Sequence, residues 1–231
     1  TSYQSNPEMY IESLLRTFCE MLEKDYCKEN ESTIISQIVE SYTKENTNYT
    51  DIRCYLFEAI TRLSKIDTEI NSQYFQFGLE QFNETRDDIK KNTARLSISI
   101  FLLNAFNSDP EKYSSVLEIL PEILSYFPYN ERPFFDLFFN ELQILSGYCS
   151  SLSQEIIEAF IAAIARFFSY LTNASIIFKA PDEQFNELLQ ILKGLLDGYI
   201  SEFPDATYND IISAALPDQT CSVEYVLSLL Q

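Results

Sequence analysis

The chain has 231 residues, 46% of them hydrophobic and 22% charged, a size and composition that allow a substantial buried core and argue against disorder. Its 35 acidic and 16 basic residues give a net charge of −19, which argues against binding of DNA or RNA by the chain as a whole, because a phosphate backbone needs Lys and Arg. The absence of histidine excludes serine–histidine and cysteine–histidine catalysis and histidine zinc sites, and the four dispersed glycines form no phosphate-binding loop.

Helices are predicted along the whole chain, because apolar residues recur at helical spacing between short polar breaks that contain Asn, Asp or Pro. The scarcity of glycine and the length of the segments favour helices over strands. Pro121 falls inside one of these helices and is expected to kink it. In chain order the predicted helices cover residues 7–26, 32–43, about 50–63, 70–83, 87–107, 114–127, 131–147, 153–171, 182–200, 206–216 and 220–230.

From residue 32 onward these helices follow one another in pairs, and successive pairs are about 40 residues apart, a period typical of HEAT and armadillo repeats. We therefore predict an all-α fold, an α-solenoid of antiparallel helix pairs with about five HEAT-like units in a right-handed superhelix. The prediction places residues 1–231 in a single domain with a terminal helical cap at residues 206–231. Because the chain begins at Thr1 and not at Met, we expect it to be a fragment of a longer protein.

Acidic residues lie in the opening turns of the second helix of each pair. There they are expected to complement the helix dipole, so we interpret them as helix-capping groups rather than as catalytic groups. These residues are Asp51, Asp87 or Asp88, Glu131 and Asp182.

The five cysteines are odd in number, scattered along the chain and without any CxxC motif. We predict that they are reduced thiols packed in the core, as in cytosolic or nuclear proteins. They are Cys19, Cys27, Cys54, Cys149 and Cys221.

Aromatic residues are frequent, with 18 Phe, 15 Tyr and no Trp, and they cluster in PFFDLFF (133–139) and RFFSY (166–170). Most of them are predicted to fill the core between helix layers. A minority is expected in exposed grooves between neighbouring helices, where a partner's aromatic side chains could insert.

Polar positions recur along one face of the second helices, and stacked solenoid helices would place such faces side by side. This stripe becomes acidic toward the C-terminus, where residues 131–231 contain 14 acids and 4 bases. We predict that a basic partner binds this surface, although a plain solvated face has the same spacing and acidity also serves solubility. The stripe comprises Tyr55, Glu58, Arg62 and Lys65, then Asp88, Lys91, Arg95 and Ser99, then Asp136, Asn140 and Gln143, and finally Glu183, Glu187, Gln190 and Asp197. The predicted partner-binding residues are Asp136, Asn140, Glu141, Glu187 and Asp197.

Carboxylate pairs such as Asp87 with Asp88 or Glu155 with Glu158 are the remaining catalytic option, but in an acidic protein such pairs are usually solvated surface. The chain also lacks a calcium-loop motif. We therefore predict no enzymatic activity, catalytic residue, cofactor or metal site. The longest weakly charged run, 156–178, is interpreted as a buried helix rather than a membrane span.

Four stretches together carry a family resemblance. They are TDIRCYLFEAITRLSK (50–65), KKNTARLSISIFLLNAF (90–106), VLEILPEILSYFPYNE (116–131), and FNELLQILKGLLDGYI (185–200) with the following YNDIISAALPDQTCSVEYVLSLLQ (208–231). In this order they resemble the C-terminal HEAT-repeat region of the karyopherin-β (importin-β) family of nuclear transport receptors, of the importin beta-3 type. The resemblance covers nearly the whole chain, which corresponds to about the last quarter of such a receptor. A glycine frequent in HEAT second helices is missing, and the chain is richer in Asn, Phe and Tyr.

The resemblance implies a role in nucleocytoplasmic transport, in the cytoplasm and the nucleus. Such receptors bind protein cargo, often basic, on an acidic concave surface, and they contact Phe-Gly nucleoporins through hydrophobic clefts between outer helices. They release import cargo when the Ran GTPase binds in its GTP form, chiefly at N-terminal repeats. We expect a monomer without membrane contact. The alternative interpretation is a HEAT-repeat scaffold that assembles a cytosolic complex and has no transport role.

Overall fold

The computed structural model describes residues 13–17, 19–21, 33, 37, 50–85, 92–125, 132–170, 182–216 and 222–231. Within those residues all regular secondary structure is helical, which confirms the predicted all-α class. Close packing divides the chain into two compact units, which we call the N-terminal unit (Thr1–Ser114) and the C-terminal unit (Ser115–Gln231). The single continuous domain stays a prediction. The predicted helices at 7–26 and 32–43 lie mostly outside the described residues.

The described core of the N-terminal unit consists of long helices that each pack against the others. They are α1 (Thr50–Ser64), α2 (Glu69–Glu84) and α3 (Asn92–Ser108). Helices α2 and α3 are antiparallel. Phe82 at the end of α2 lies against Arg95 near the start of α3, whereas the Nδ2 of Asn71 near the start of α2 donates to the Oγ of Ser108 at the end of α3 (3.0 Å).

Helices α1 and α3 lie side by side and run in the same direction. Near their starts the Oγ of Ser97 donates to the carbonyl oxygen of Cys54 at 2.7 Å. Near their ends the Nδ2 of Asn104 donates to the Oγ of Ser64 at 2.8 Å. All four residues are buried, so these bonds satisfy polar groups inside the core, as buried polar atoms require.

The prediction of a solvent-exposed polar stripe on α3 is wrong, because residues 94–107 are all buried. Arg95 is 1% exposed and Ser99 is 0% exposed. The guanidinium carbon of Arg95 lies 4.2 Å from the ring centre of Phe82, a cation–π contact, and the Oγ of Ser99 donates to the carbonyl oxygen of Arg95 at 2.8 Å. Packing of α1 and α2 on this helix thus encloses polar side chains whose spacing alone suggested a solvated stripe.

On α1 the predicted stripe is also partly buried. Glu58 is buried, and both the Nε and the Nη2 of Arg62, one turn later, donate to its Oε1 at 3.0 and 2.9 Å. Lys65, just after the helix, is exposed, and Tyr55 is half-buried. The remaining members of the N-terminal stripe, Asp88 and Lys91, lie outside the described residues.

The C-terminal unit follows the predicted order of helices with one difference. Its described helices are α4 (Leu120–Ser125), α5 (Arg132–Ser146), α6 (Gln154–Tyr170), α7 (Asp182–Glu202), α8 (Tyr208–Ala215) and α9 (Val223–Leu229). The predicted helix at 114–127 is divided, since a 3-10 helix at Ser114–Glu118 precedes α4. Pro121 therefore falls in the first turn of α4, where its missing N–H breaks no helical hydrogen bond.

Helix α6 lies at the centre of this unit and packs against α4, α7, α8 and α9. Helices α6 and α7 are antiparallel, because the rings of Phe168 and Phe185 meet at 5.0 Å while the Oη of Tyr199 donates to the Oε1 of Glu158 at 3.0 Å. Both aromatic clusters contribute to the core, as predicted. The buried phenylalanines are Phe134, Phe135, Phe138, Phe139, Phe160, Phe167 and Phe168.

The thiols that the structure describes are free, as predicted. Cys19 and Cys54 are buried, and Cys149 is half-buried with a pKa raised by its burial. Core packing is thus confirmed for Cys19 and Cys54. Cys27 and Cys221 lie outside the described residues.

Two N-terminal helix caps are formed by side chains near the C-terminal end of the chain. Thr207 and Asp210 form a reciprocal capping box at the start of α8, and the Oγ of Ser222 accepts a bond from the N–H of Tyr225 at the start of α9. The acids predicted to open second helices have side chains outside the described residues. They are Asp51, Asp87, Asp88, Glu131 and Asp182.

Candidate partner-binding cleft

Two hydrogen bonds join α5 to α7. The Nε2 of Gln184 donates to the Oδ1 of Asp136 at 3.1 Å, and the Nε2 of Gln143 donates to the Oε2 of Glu187 at 2.7 Å. Residue numbers rise on both helices from the first bond to the second, so α5 and α7 run in the same direction where they meet. In each bond a neutral amide orients an ionisable carboxyl group, and such charge-assisted bonds are stronger than neutral ones.

The same pattern of residues fixes both helices to the core and leaves their polar faces outward. On α5, Phe135 stacks on Phe167 of α6 with ring centres 5.3 Å apart, while Asp136 and Asn140 are exposed. On α7, apolar side chains at helical spacing are buried while polar residues between them face solvent. The buried leucines of α7 are Leu188, Leu192, Leu195 and Leu196.

An open cleft of about 380 Å³ lies between the two helices, and we call it the α5–α7 cleft. Helix α5 contributes Gln143 and Ser146 to its lining. Helix α7 contributes Asn186, Glu187, Gln190 and Ile191. Most lining side chains therefore end in an amide or a carboxyl group, while their carbon stems and Ile191 form most of the accessible wall.

The structure brings together several of the predicted binding residues. Asp136 and Glu187 are both bonded by amides across the α5–α7 contact, and Asn140 lies exposed one turn after Asp136 on the same helix. Asp197 is also exposed, but the Oη of Tyr208 donates to its carboxylate. That bond raises the pKa of Tyr208 to about 12, because the tyrosine must give up its proton beside a negative charge.

The prediction that Glu141 belongs to the partner-binding surface is wrong. Its side chain is 1% exposed, so it does not lie on the solvent-facing surface with Asp136 and Asn140. Consecutive helical residues are rotated by about 100°, which turns Glu141 from the exposed face of Asn140 toward the buried face of Phe138 and Leu142.

Several cleft residues were not singled out by their pattern in the sequence. Gln184 reaches Asp136, and Asn186, Ser146 and Ile191 line the cleft. In the sequence, the i, i+4 spacing that places Asn186 and Gln190 on one helix face could have indicated these residues. Recognising that α5 faces this row required the tertiary structure.

The alternative carboxylate pair does not belong to the cleft. Glu155 and Glu158 are exposed on α6, and Glu158 accepts hydrogen bonds from Gln154 and Tyr199. The bond from Tyr199 to the Glu158 carboxylate raises the pKa of Tyr199. Among the residues that the structure describes, no group of three or more acids or cysteines is placed to hold a metal ion. The absence of enzymatic activity stays a prediction.

No protein-family model, no curated protein and no solved structure matches this chain. None of the helices in the described ranges is both long enough and apolar enough to cross a bilayer. The function therefore has to be argued from the arrangement of the helices and the chemistry of the α5–α7 cleft.

Proposed function

We propose that this chain is a HEAT-like segment of a karyopherin-β type receptor and binds a Lys/Arg-rich segment of a protein cargo at the α5–α7 cleft. The observation that carries the proposal is the pair of amide-bonded acids, Asp136 and Glu187, on neighbouring helices that run in the same direction. They belong to a region, residues 131–231, with 14 acids and 4 bases.

The directions of the helices support a solenoid. Helices α1, α3, α5 and α7 are the second helices of the predicted pairs. Helices α1 and α3 pack side by side in the same direction, and α5 and α7 run in the same direction where two side-chain hydrogen bonds join them. Within the pairs, α2 is antiparallel to α3 and α6 is antiparallel to α7. A stack of antiparallel pairs produces this pattern, because each unit repeats the orientation of the one before it.

The stretches that carry the family resemblance also fall on corresponding elements. The first coincides with α1, the second with α3, and the fourth with α7 followed by the short helices α8 and α9. The third covers the 3-10 turn and α4. The matched stretches are thus helical units rather than linkers, which is what a repeat family predicts.

Electrostatics favours a basic partner. Asp136 is exposed and Glu187 half-buried, so a cation can reach both, and α5 contains no Lys or Arg after Arg132. An exposed ion pair contributes only about 0.2–1 kcal/mol, so useful affinity requires several contacts in one cleft. Binding of this kind weakens as salt screens the charges.

The test is the binding of a labelled Lys/Arg-rich peptide to the chain at low and at physiological salt. We expect salt-sensitive binding that weakens about tenfold in the Asp136→Lys/Glu187→Lys variant, as expected for the loss of more than one charge contact. The matched control is Glu155→Lys/Asp205→Lys, which changes the net charge equally at exposed residues that neither line the cleft nor take part in the two hydrogen bonds between α5 and α7. Equal weakening in both variants would mean diffuse attraction without a site, and no binding would mean that the acidity serves solubility.

The transport role is tested separately from the cleft. Retention of the chain by immobilised Phe-Gly repeat peptide, together with binding of the basic peptide, is the result that the receptor interpretation predicts. Binding of the basic peptide without any retention by Phe-Gly repeats would favour the scaffold interpretation for this segment.

A further inference from the structure

We infer that the occupant of the α5–α7 cleft is an extended peptide whose main chain is bonded by the amide side chains of the cleft, an inference that rests on the proposed function of the cleft as a partner site. In this arrangement the amides recognise peptide groups, and Glu187 receives one Lys or Arg side chain. The proposal thus specifies the conformation of the bound cargo segment as well as its charge.

The lining offers the hydrogen-bonding groups that a peptide main chain needs. A side-chain amide carries two N–H donors and one oxygen acceptor, which complement the single N–H and C=O of a peptide group. Gln143 uses one N–H for Glu187 and keeps its second N–H and its oxygen. Within the described part of the chain, the exposed side chains of Asn186 and Gln190 have no hydrogen-bond partner.

The spacing of the amides matches an extended chain. Asn186 and Gln190 are four residues apart on α7, which places them about 6 Å apart along the helix axis. An extended peptide repeats its orientation every two residues, or about 6.6 Å. Each amide can therefore meet an equivalent peptide group. A helical ligand does not offer these groups, because its own backbone hydrogen bonds use them.

One basic side chain fits beside this row of amides. Glu187 and Ile191 are also four residues apart, both are half-buried, and both line the cleft. The aliphatic stem of a Lys or Arg can pack on Ile191 while its charged end reaches Glu187, an arrangement that long basic side chains commonly adopt.

The cleft also suits the stems of long basic side chains. Five of its six lining residues have polar ends, while most of the accessible wall is carbon. An extended peptide that contains Lys or Arg matches both features, because its main chain offers hydrogen-bonding groups to the amides and its basic side chains offer aliphatic stems to the wall.

The test compares a Lys/Arg-rich peptide with two copies that are N-methylated at every second residue, one in each phase. We expect one of the two methylated peptides to bind the wild-type chain about tenfold more weakly, because about two hydrogen bonds to the cleft amides are lost. In the near-isosteric variant Asn186→Leu/Gln190→Met, the unmethylated peptide should bind as weakly as that copy, and methylation should have little further effect. Gln73→Met/Asn209→Leu makes the same chemical change at exposed residues outside the cleft lining and should retain the wild-type difference.

The outcomes separate this inference from the proposed function. Equal binding of all three peptides, with salt sensitivity retained, would show recognition of charge alone and overturn the extended main chain while leaving the cargo site intact. Tighter binding of a helix-stapled form of the same peptide would likewise overturn it. Absence of binding by every peptide would remove both proposals.

Discussion

In the N-terminal unit α1 and α3 pack side by side in the same direction. In the C-terminal unit α5 and α7 also run in the same direction where two side-chain hydrogen bonds join them. Polar side chains bridge both contacts, which we call the α1–α3 seam and the α5–α7 seam. The bonds of the α1–α3 seam, such as Asn104 to Ser64, join buried residues. Those of the α5–α7 seam join exposed or half-buried residues around an open cleft. Polar bonds between second helices are thus buried in one unit and open to solvent in the other.

The cores of the two units also differ in how many polar side chains they bury. Among the described residues, eleven polar or charged side chains are buried in the N-terminal unit, against Glu141 and Ser169 in the C-terminal unit. The C-terminal unit is held by phenylalanine and leucine, so its polar residues remain at the surface. Buried polar groups must find partners within the protein, whereas surface ones keep their hydrogen-bonding capacity for a ligand. Partner binding is therefore expected at the α5–α7 seam and not at the α1–α3 seam.

The largest effect on the free energy of unfolding is expected at Glu141, which is buried although the preceding residue on α5, Asn140, is exposed. Glu141→Lys should lower the free energy of unfolding by about 3 kcal/mol or more, because it places a cation where a buried carboxyl group is accommodated. Asp136→Lys, on the exposed face of the same helix, should change it by only about 0.5 kcal/mol. Urea unfolding of both variants checks this, and similar losses would contradict the assignment of the two faces.

The next largest effect on stability is expected from removal of one amide side chain in each seam. Asn104→Ala should cost about 1–3 kcal/mol, because Asn104 donates to Ser64 and Asn71 inside the core and its loss leaves buried oxygens unbonded. Gln143→Ala in the open seam should cost less than about 1 kcal/mol, since water can replace its bond to Glu187. Equal costs, measured by chemical denaturation, would mean that the two seams are equally structural.

Replacing glycine by alanine should lower the stability of the protein in the N-terminal unit and raise it in the C-terminal unit. A Cβ on Gly78 of α2 would lie 2.9 Å from the Cε1 of the buried Phe101, so Gly78→Ala should lose a net of about 1 kcal/mol after its gain in helix propensity. Nothing lies within 4 Å of a Cβ on Gly194 or Gly198 of α7. Each of these replaced by Ala should therefore gain about 1 kcal/mol. Thermal melting measures both, and a gain at Gly78 would show that the α2–α3 contact is loose.

The smallest effect concerns Tyr208, whose pKa is raised to about 12 by its hydrogen bond to Asp197. An unfolded tyrosine titrates near about 10, so the folded state holds this proton more tightly. The resulting stabilisation is complete below about pH 10 and disappears as the pH rises to about 12. Unfolding free energies of the wild type and Tyr208→Phe should therefore converge across this interval, and a constant difference would refute the bond.

The sequence predicted the helices well because their apolar spacing is local information. Helix α5 was expected at 131–147 and spans Arg132–Ser146, and α6 was expected at 153–171 and spans Gln154–Tyr170. The sequence could not predict that Arg95 and Glu141 are buried, since a polar residue near the edge of a stripe turns inward only when a neighbouring helix covers it. The division of the helix around Pro121 likewise depends on where the first regular turn forms.

The candidate site was predicted in part for the same reason. Asp136, Asn140 and Glu187 were recognisable as outward-facing polar residues of second helices. The amides that complete the cleft were not, because Gln184 and Asn186 gain their meaning from the closeness of α5, which no local pattern encodes.

An NMR titration of the chain with a Lys/Arg-rich peptide, which observes the side-chain amide signals of Asn and Gln, tests directly whether the α5–α7 cleft binds a partner. We predict that the signals of Gln143, Asn186 and Gln190 shift with saturation, while those of Asn71 and Asn104 in the buried core stay in place. Unchanged signals from the cleft amides, or shifts that are largest at the buried ones, would contradict the assignment of the α5–α7 cleft as the partner site.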